Sequence, residues 1–282
     1  MPLPKISVVT PSFNQAGFLE QNIQSVLDQH YPDVEHIIID GGSTDGTLDI
    51  LKKHSHLCWV SEPDRGQTHA LNKGFERATG DIIGWLNSDD TYFPDIFRMV
   101  ASQFEDPKVM VLCGDGFEID ENGKQTHPML SRATDPEVLI KYWKWRYEYL
   151  QPAFFFRRTV FDEVGFLEES LYYVMDYDFF IRLGLRYPMT YLPKPLANLR
   201  LHSTSKTGTN IRKIIPGYIL EMHKVSRRYW GRPTEFRYYG YLISFLGAVV
   251  LSILKNILFL KGSKSRMIVE RTLSPTSRGG GV

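Results

Sequence analysis

The chain has little cysteine and almost no net charge. Its two cysteines in 282 residues, Cys58 and Cys113, exclude a disulfide-stapled scaffold. Both lie in apolar, strand-like runs, which predicts buried thiols in a reducing compartment, the alternative being a single disulfide between them. The first residues, Met1-Pro2-Leu3-Pro4-Lys5, lead into a short strand with no basic segment and no long apolar run, so no signal peptide is expected. Two common nucleotide fingerprints are missing as well. Gly41-Gly42-Ser43-Thr44-Asp45-Gly46 does not fit G-x-G-x-x-G, and no G-x-x-x-x-G-K-[ST] occurs. Dinucleotide binding thus has no support, and a P-loop is excluded.

The net charge of +1 conceals an asymmetry. Residues 1–211 hold 20 Lys and Arg against 29 Asp and Glu, a balance of −9, while residues 212–282 hold 13 against 3, a balance of +10. An acidic body with a basic C-terminal segment predicts an anionic partner for that segment, lipid headgroups or nucleic acid. With 43% apolar residues, the chain can bury a core for one large domain or two ordinary ones.

The N-terminal half reads as alternating strands and helices. Lys5-Ile6-Ser7-Val8-Val9-Thr10 is a β-branched run, broken by Pro11-Ser12-Phe13-Asn14. Leu19, Ile23, Val26 and Leu27 then fall at helical spacing. Val34–Asp40 is a second strand, followed by a glycine-rich turn, Gly41–Thr47, into a second helix. A short strand at Cys58–Ser61 precedes a helix from about Thr68 to Ala78, for which Gly80 fits the C-terminal cap. Strand, helix, strand, helix predicts a parallel α/β sheet.

In such sheets ligands bind beyond the carboxyl ends of the strands. Thr10-Pro11-Ser12, Asp40-Gly41-Gly42-Ser43 and Asn87-Ser88-Asp89-Asp90 all stand at strand ends, so they should line one nucleotide-sized crevice. The third follows the buried run Ile82-Ile83-Gly84-Trp85-Leu86 directly. Two adjacent carboxylates repel unless something positive neutralises them. Hard oxygen ligands there suit Mg²⁺ or Mn²⁺ on a phosphate-bearing ligand. Lys73, early in its helix, is either a solvated lysine or a diphosphate contact.

The second half turns mixed. Val109–Cys113 is a strand, and Glu121-Asn122-Gly123 marks a hairpin. Residues 135–161 are rich in aromatics that either fill the core or stack on a sugar ring. Asp176 sits at the N-terminal edge of a buried helix, where the helix dipole favours a carboxylate. Asp176 and Asp178 point to different sides, so at most one faces the crevice. Met189–Pro193 and Leu196–Leu201 read as two late strands, leading to a Ser/Thr loop with His202 and Lys206 that could close over a phosphate.

After a basic stretch over 212–237, residues 238–254 form 17 positions with no charge, interrupted by Lys255-Asn256 and resumed at Ile257–Leu260. That length is at the lower limit for a bilayer span. Basic flanks and a tyrosine-rich edge suit a helix lying in the membrane interface, the alternatives being a full span or packing on protein. Residues 262–282 read as a disordered tail.

Taken together, seven segments in order resemble an inverting family 2 glycosyltransferase of the GT-A fold. They are Val8–Asn14, Ile39–Thr47, Asp64-Arg65-Gly66-Gln67 with Leu71–Gly74, Trp85–Asp90, Gln151-Pro152 with Arg157-Arg158, Asp176-Tyr177-Asp178, and Arg200-Leu201-His202 with Ser205–Thr207. The resemblance implies a Rossmann-like mixed sheet flanked by helices over residues 1–210, to which the basic and apolar composition adds a helical, membrane-associating extension over 211–261. It implies a nucleotide-sugar donor, UDP-linked, with Thr10, Pro11, Ser12, Asn14, Asp40, Gly41, Asp64, Asn72, Lys73, Asn87, Ser88 and Asp89 around it. Mn²⁺ or Mg²⁺ would be held by Asp89, Asp90 and His202. Asp176 would be the general base, with Gln151 beside a glycan or lipid-linked acceptor. The enzyme would work in cell-surface polysaccharide biosynthesis, in the cytoplasm, peripherally on the inner face of the membrane, with no nucleic-acid partner.

Three positions depart from the family pattern. Asn87 stands where the first carboxylate of the D-x-D element is usual, Gly41 where a second strand-end Asp is usual, and Met175 where Glu precedes the base. Two other readings remain at this point. One is a glycoside hydrolase with paired carboxylates, and the other a non-catalytic nucleotide-sugar-binding homologue.

Overall fold

The computed structural model describes residues 3–131, 135–144, 149–206 and 211–250, with backbone only for 211–216. The chain divides into two compact units, Met1–Tyr229 and Trp230–Val282.

The first unit is built on one nine-stranded sheet. Its elements run β1 (Ile6–Ser12), α1 (Leu19–Leu27), β2 (Val34–Asp40), α2 (Thr47–Leu51), β3 (Cys58–Ser61), α3 (Gln67–Arg77), β4 (Ile82–Trp85) and β5 (Thr91–Tyr92). They continue with α4 (Ile96–Gln103), β6 (Val111–Ile119), β7 (Gln125–Met129), α5 (Pro136–Ile140), β8 (Phe154–Arg157), α6 (Val160–Val164), α7 (Met175–Arg186), β9 (Met189–Arg200) and α8 (Ile211–Arg227). The sheet order is β3-β2-β1-β4-β8-β6-β9-β5, with β7 on β6. Strands β3, β2, β1 and β4 are parallel, β8 is antiparallel to β4 and β6, and β9 is parallel to β6.

Period-two alternation on the central strands sends side chains to two cores. Ile6 and Val8 of β1 pack with Val26 of α1 and with Phe97 and Val100 of α4. Ile38 of β2 packs with Leu19, Ile23 and Leu51 of α1 and α2. On the opposite face, Phe75 of α3 meets Trp85, Phe156 and Phe161, and Phe161 stacks on Phe179 of α7. Fully burying one such ring contributes roughly 1.5–3 kcal/mol. Most of the aromatics in 135–161 that the structure describes are therefore core.

Glycine spacing sets how closely α3 approaches. A Cβ on Gly74 would lie 2.3 Å from Val9 Cγ1, so only glycine lets this helix lie on β1. Gly80 is not the helix cap: α3 ends at Arg77 with Ala78 extended. A Cβ on Gly80 would meet the backbone nitrogen of Ser7 at 2.7 Å, so its role is the close passage of the chain beneath β1.

Two further expectations need correction. Cys113 is buried but Cys58 is exposed, because β3 is an edge strand; both thiols are free. The two late strands form one, β9, in which Pro193 and Pro195 are absorbed by register shifts opposite Gly114–Gly116. The parallel alignment puts Ser12 beside Asp40 and Asp40 beside Ser61, so the carboxyl ends of β1, β2 and β3 share one edge.

Helix α8 belongs to the first unit. Its Glu221 accepts from the backbone N–H groups of Tyr172 and Tyr173, and Ser226 Oγ donates to Ile140 O. In the second unit residues 236–250 are helical. Trp230 stacks with Tyr241 there, ring centres 5.9 Å apart, and Phe245 lies against the same indole. Phe236, Tyr239, Ile243, Leu246 and Val250 are exposed, spaced alternately by three and four residues along one stripe. Among the described residues no helix is long and apolar enough to cross a membrane. The rest of the expected apolar extension, and the expected tail, lie outside the described residues.

Candidate active site

The strand-end loops of β1 and β2 are laced together. Asn14 sits in the left-handed region at φ 54°. Its N–H donates to Ser43 Oγ at 2.7 Å and its Oδ1 accepts from Thr44 N at 2.9 Å. Thr10 Oγ1 is 2.9 Å from His36 Nε2, and burial holds that imidazole neutral by lowering it to about 3.

Asp40 is fully buried. Its Oδ2 accepts from Gly42 N, Ser43 N and Ser61 Oγ, and its Oδ1 from Ser43 Oγ. All of that capacity shapes the turn, and none faces outward. Asp64 is different. Its Oδ1 accepts from Gly66 N at 2.7 Å, while Oδ2 lies 2.7 Å from where a Cβ at Gly41 would stand. The carboxylate from the β3–α3 loop thus reaches the space left open by Gly41. Phe13, on the loop after β1, is 59% exposed, where the sequence pattern marks only a strand break.

Asn72 and Lys73 are both engaged by protein partners. The Asn72 amide clamps Leu167, donating to its carbonyl at 2.9 Å and accepting from its N–H at 3.0 Å. Lys73 pairs with Glu62 at 2.7 Å.

The turn after β4 carries the second cluster. Asn87 Oδ1 accepts from Gln67 Nε2 at 2.9 Å and Trp85 Nε1 at 3.0 Å. Its Nδ2 donates to Asp90 Oδ2 at 3.1 Å and Gln151 Oε1 at 2.8 Å. Gln151 in turn donates to Trp85 O at 2.8 Å. An amide at 87 therefore satisfies donors on one side and acceptors on the other, which a carboxylate could not do. Asp90 is 1% exposed, and its Oδ1 accepts from Arg200 N at 2.9 Å. Burial, then the neighbouring charge of Asp89, pushes its carboxyl well above the usual range. Ser88 is buried in the same turn.

Asp89 faces out. Its Oδ2 lies 3.0 Å from His202 Nε2, and His202 Nδ1 lies 3.0 Å from Thr204 Oγ1. The Asp89 side chain keeps 18% exposure and His202 only 2%, so the pair presents its carboxylate to the crevice. Among the described residues no three His, Cys, Asp or Glu side chains converge. A divalent ion can still be held by one carboxylate and one imidazole, provided that phosphate and water complete its shell. With Nε2 on the ion, the Nδ1 proton would go to Thr204, the orienting bond such histidines need. The residues present fit Mn²⁺ or Mg²⁺ on those terms.

The base candidate lies at the start of α7. Asp176 Oδ1 accepts from Tyr177 N at 2.8 Å and Oδ2 from Tyr149 Oη at 3.3 Å. Burial raises its carboxyl, partly offset by those bonds and by Lys206. Asp178 turns away, into ion pairs with Arg182 at 2.9 Å and Arg228 at 3.1 Å. Lys206 Nζ donates to Gln67 Oε1 at 3.2 Å and sits 4.2 Å from the centre of the Tyr172 ring. Gln67 thereby links the Asn87 turn to Lys206, and the charge of Lys206 acts on Asp176. Burial lowers Lys206 to about 8.

Two further side chains hold the Asn87 turn from outside it. Asn22 of α1 donates to Asn87 O at 2.8 Å and Asp90 O at 3.0 Å. Arg200 donates to Asp89 O at 2.8 Å.

The family described as Glycosyl transferase family 2 matches residues 7–165. The putative teichuronic acid biosynthesis glycosyltransferase TuaG of Bacillus subtilis is 42% identical over 98 residues, 33% of this chain and 38% of TuaG. Among solved structures, S. aureus TarS 1–349 in complex with UDP superposes with TM-score 0.60 at 20% identity, over 79% of this chain and 64% of that one. The mannosyltransferase PcManGT from Pyrobaculum calidifontis, in complex with GDP-Man and Mn²⁺, gives TM-score 0.60 at 18% identity, over 94% of this chain and 81% of that one. At these identities the structural likeness establishes a shared GT-A-like fold. The chain thus spans under two-fifths of TuaG and under two-thirds of the TarS chain.

Proposed function

The chain belongs to glycosyl transferase family 2, and on that premise we propose a metal-dependent, inverting transfer of a sugar from a nucleotide-sugar donor, UDP-linked, to a hydroxyl of a glycan or lipid-linked acceptor in cell-surface polysaccharide biosynthesis. The observation that carries the reading is the Asp89–His202 pair, 3.0 Å apart, joined through Asn87, Gln67 and Lys206 to the surroundings of Asp176. A group that holds the leaving diphosphate and a carboxylate base are both needed for one in-line displacement, and Asp89 with His202 and Asp176 are the candidates for the two roles.

Each residue has a role in that scheme. Asp89 and His202 hold the ion, Asp90 and Asn87 hold the turn, and Lys206 faces the diphosphate. Mn²⁺ or Mg²⁺, when bound, neutralises charge developing on the leaving group. Asp176 takes the proton from the acceptor hydroxyl. Its burial raises the affinity for that proton, and Tyr149 holds the carboxylate in orientation. Gln151, spent on Trp85 and Asn87, supports the floor of the acceptor side. On the nucleoside side Asp64 is better placed than the enclosed Asp40 to accept from a base N–H.

The second unit supports peripheral membrane attachment at the inner face. The exposed stripe from Phe236 to Val250 lies close in sequence to Arg232 and Arg237 of the same unit, a pairing of apolar face and cations that suits anionic lipid. Deleting residues 238–282 should move the protein from membrane to soluble fractions; an unchanged distribution contradicts attachment through this segment.

A panel of nucleotide-sugar donors, read out as released nucleoside diphosphate with and without Mn²⁺, tests the catalytic reading. Metal-dependent release from at least one donor supports it. Cleavage of glycosides without metal or nucleotide would point to a hydrolase, and binding without turnover to a non-catalytic homologue.

A further inference from the structure

The end of β9 grips the Asp89–Asp90 turn at three points within three residues. The backbone N–H of Arg200 donates to Asp90 Oδ1 at 2.9 Å, its Nε donates to Asp89 O at 2.8 Å, and His202 Nε2 meets Asp89 Oδ2 at 3.0 Å. Arg200 is 2% exposed. Its remaining donors go to Asp120 O at 3.1 Å and Glu121 O at 3.2 Å, in the β6–β7 hairpin turn, and to Gln21 Oε1 of α1 at 2.7 Å. All of these acceptors are neutral, and among the described residues no carboxylate lies within ion-pair distance of the guanidinium. Burial of a cation is costly, and here hydrogen bonds to neutral oxygens and the nearby charges of Asp90, Asp89 and Asp120 offset it.

That geometry is a fork that no lysine reproduces. It fastens three elements, the β6–β7 turn, α1 and the Asp89 turn, around one planar group. Phe18 completes the assembly. Its ring centre lies 5.1 Å from the Arg200 guanidinium and 4.4 Å from the imidazole of His202, so one ring buttresses both.

We propose that Arg200, braced by Phe18 and Gln21, is the positioning residue that fixes Asp89 against His202 and thereby sets metal affinity. The inference rests on the reading of Asp89 and His202 as metal ligands. It assigns Arg200 no contact with donor or acceptor. Its action is geometric, through the Asp89 carbonyl and the Asp90 carboxylate, so charge alone does not replace it.

The test is the affinity of the full chain for Mn²⁺, from the free-ion paramagnetic resonance signal, with saturating UDP or GDP, whichever the wild type binds. Thermal unfolding confirms that each variant is folded. Arg200→Lys keeps the charge and loses the fork. It should weaken Mn²⁺ binding about 10-fold or more, the range for a lost orienting partner, with nucleotide affinity in the absence of metal unchanged. Should Arg200→Lys fail to fold, Gln21→Met removes one brace from an exposed position and should weaken Mn²⁺ about 3-fold, a fraction of that effect. Mn²⁺ affinity within about twofold of wild type in a folded variant overturns the inference. If Asp89→Ala abolishes Mn²⁺ binding while Arg200→Lys leaves it intact, the inference fails alone. A wild-type chain that binds no Mn²⁺ overturns the metal reading and the inference with it.

Discussion

His202 Nε2 and Asp89 Oδ2 stand 3.0 Å apart although 113 residues separate them in sequence. One side chain comes from the turn after a central strand, the other from the loop after the last strand. If the pair holds the ion, Asp89→Ala and His202→Ala should each lower kcat/KM by about 100-fold or more, since a metal supplies several kcal/mol to such a transition state. Thr204→Val should leave kcat nearly intact and raise the Mn²⁺ concentration for half-maximal rate about 10-fold, by releasing the imidazole. Titrating Mn²⁺ in a nucleoside diphosphate release assay checks all three.

Asn87→Asp restores the carboxylate usual in the family, and the structure predicts harm. The new charge would face Asp90 Oδ2 at 3.1 Å and Gln151 Oε1 at 2.8 Å, where Asn87 now donates. Two lost donors and a like-charge contact should cost on the order of 2–4 kcal/mol of stability. Thermal unfolding measures this, and an unchanged or raised melting temperature would count against the turn as described.

Gly41→Ala should impair donor binding without unfolding the chain. The added methyl would meet Asp64 Oδ2 at 2.7 Å and displace that carboxylate. KM for the donor should rise about 10-fold, the equivalent of one hydrogen bond of about 1.4 kcal/mol. An unchanged KM would remove Asp64 from the nucleoside site.

Activity should pass through a maximum with pH. Asp176 must be ionised to act as base, and burial raises its carboxyl, so the rate climbs as pH rises through that elevated value. Lys206 must be protonated to face a diphosphate, and burial lowers it to about 8, so the rate falls as pH rises through about 8. Lys206→Arg should remove the alkaline fall, because arginine stays charged. Tyr149→Phe should move the acid limb upward by removing a donor to the carboxylate. The pH dependence of kcat/KM decides both.

The parallel half of the sheet was legible in sequence because its strands are apolar runs and its helices keep a 3.6-residue period. Strand β9 was not, because Pro193 and Pro195 read as breaks while irregular pairing with β6 accommodates them. Asp89, Asp176 and His202 could be picked from a strand end, a helix start and a polar loop. Asn72 and Lys73 could not be sorted, since their partners Leu167 and Glu62 depend on tertiary placement. Asn22 carried a weak signal: a polar residue among Leu19, Ile23 and Val26 on a buried helix face. Arg200 carried a similar one, a charged residue closing an apolar strand, but its five acceptor contacts span three elements that only the fold assembles.

The account turns on Asp176 as the base of a nucleotide-sugar transferase. The direct measurement is sugar transfer by Asp176→Asn against wild type, with the turned-over donor and Mn²⁺, alongside nucleotide affinity. The account predicts that transfer falls by about 1,000-fold, within the range for general-base removal, while nucleotide affinity stays within about twofold. Transfer at the wild-type rate by a folded Asp176→Asn protein would contradict it.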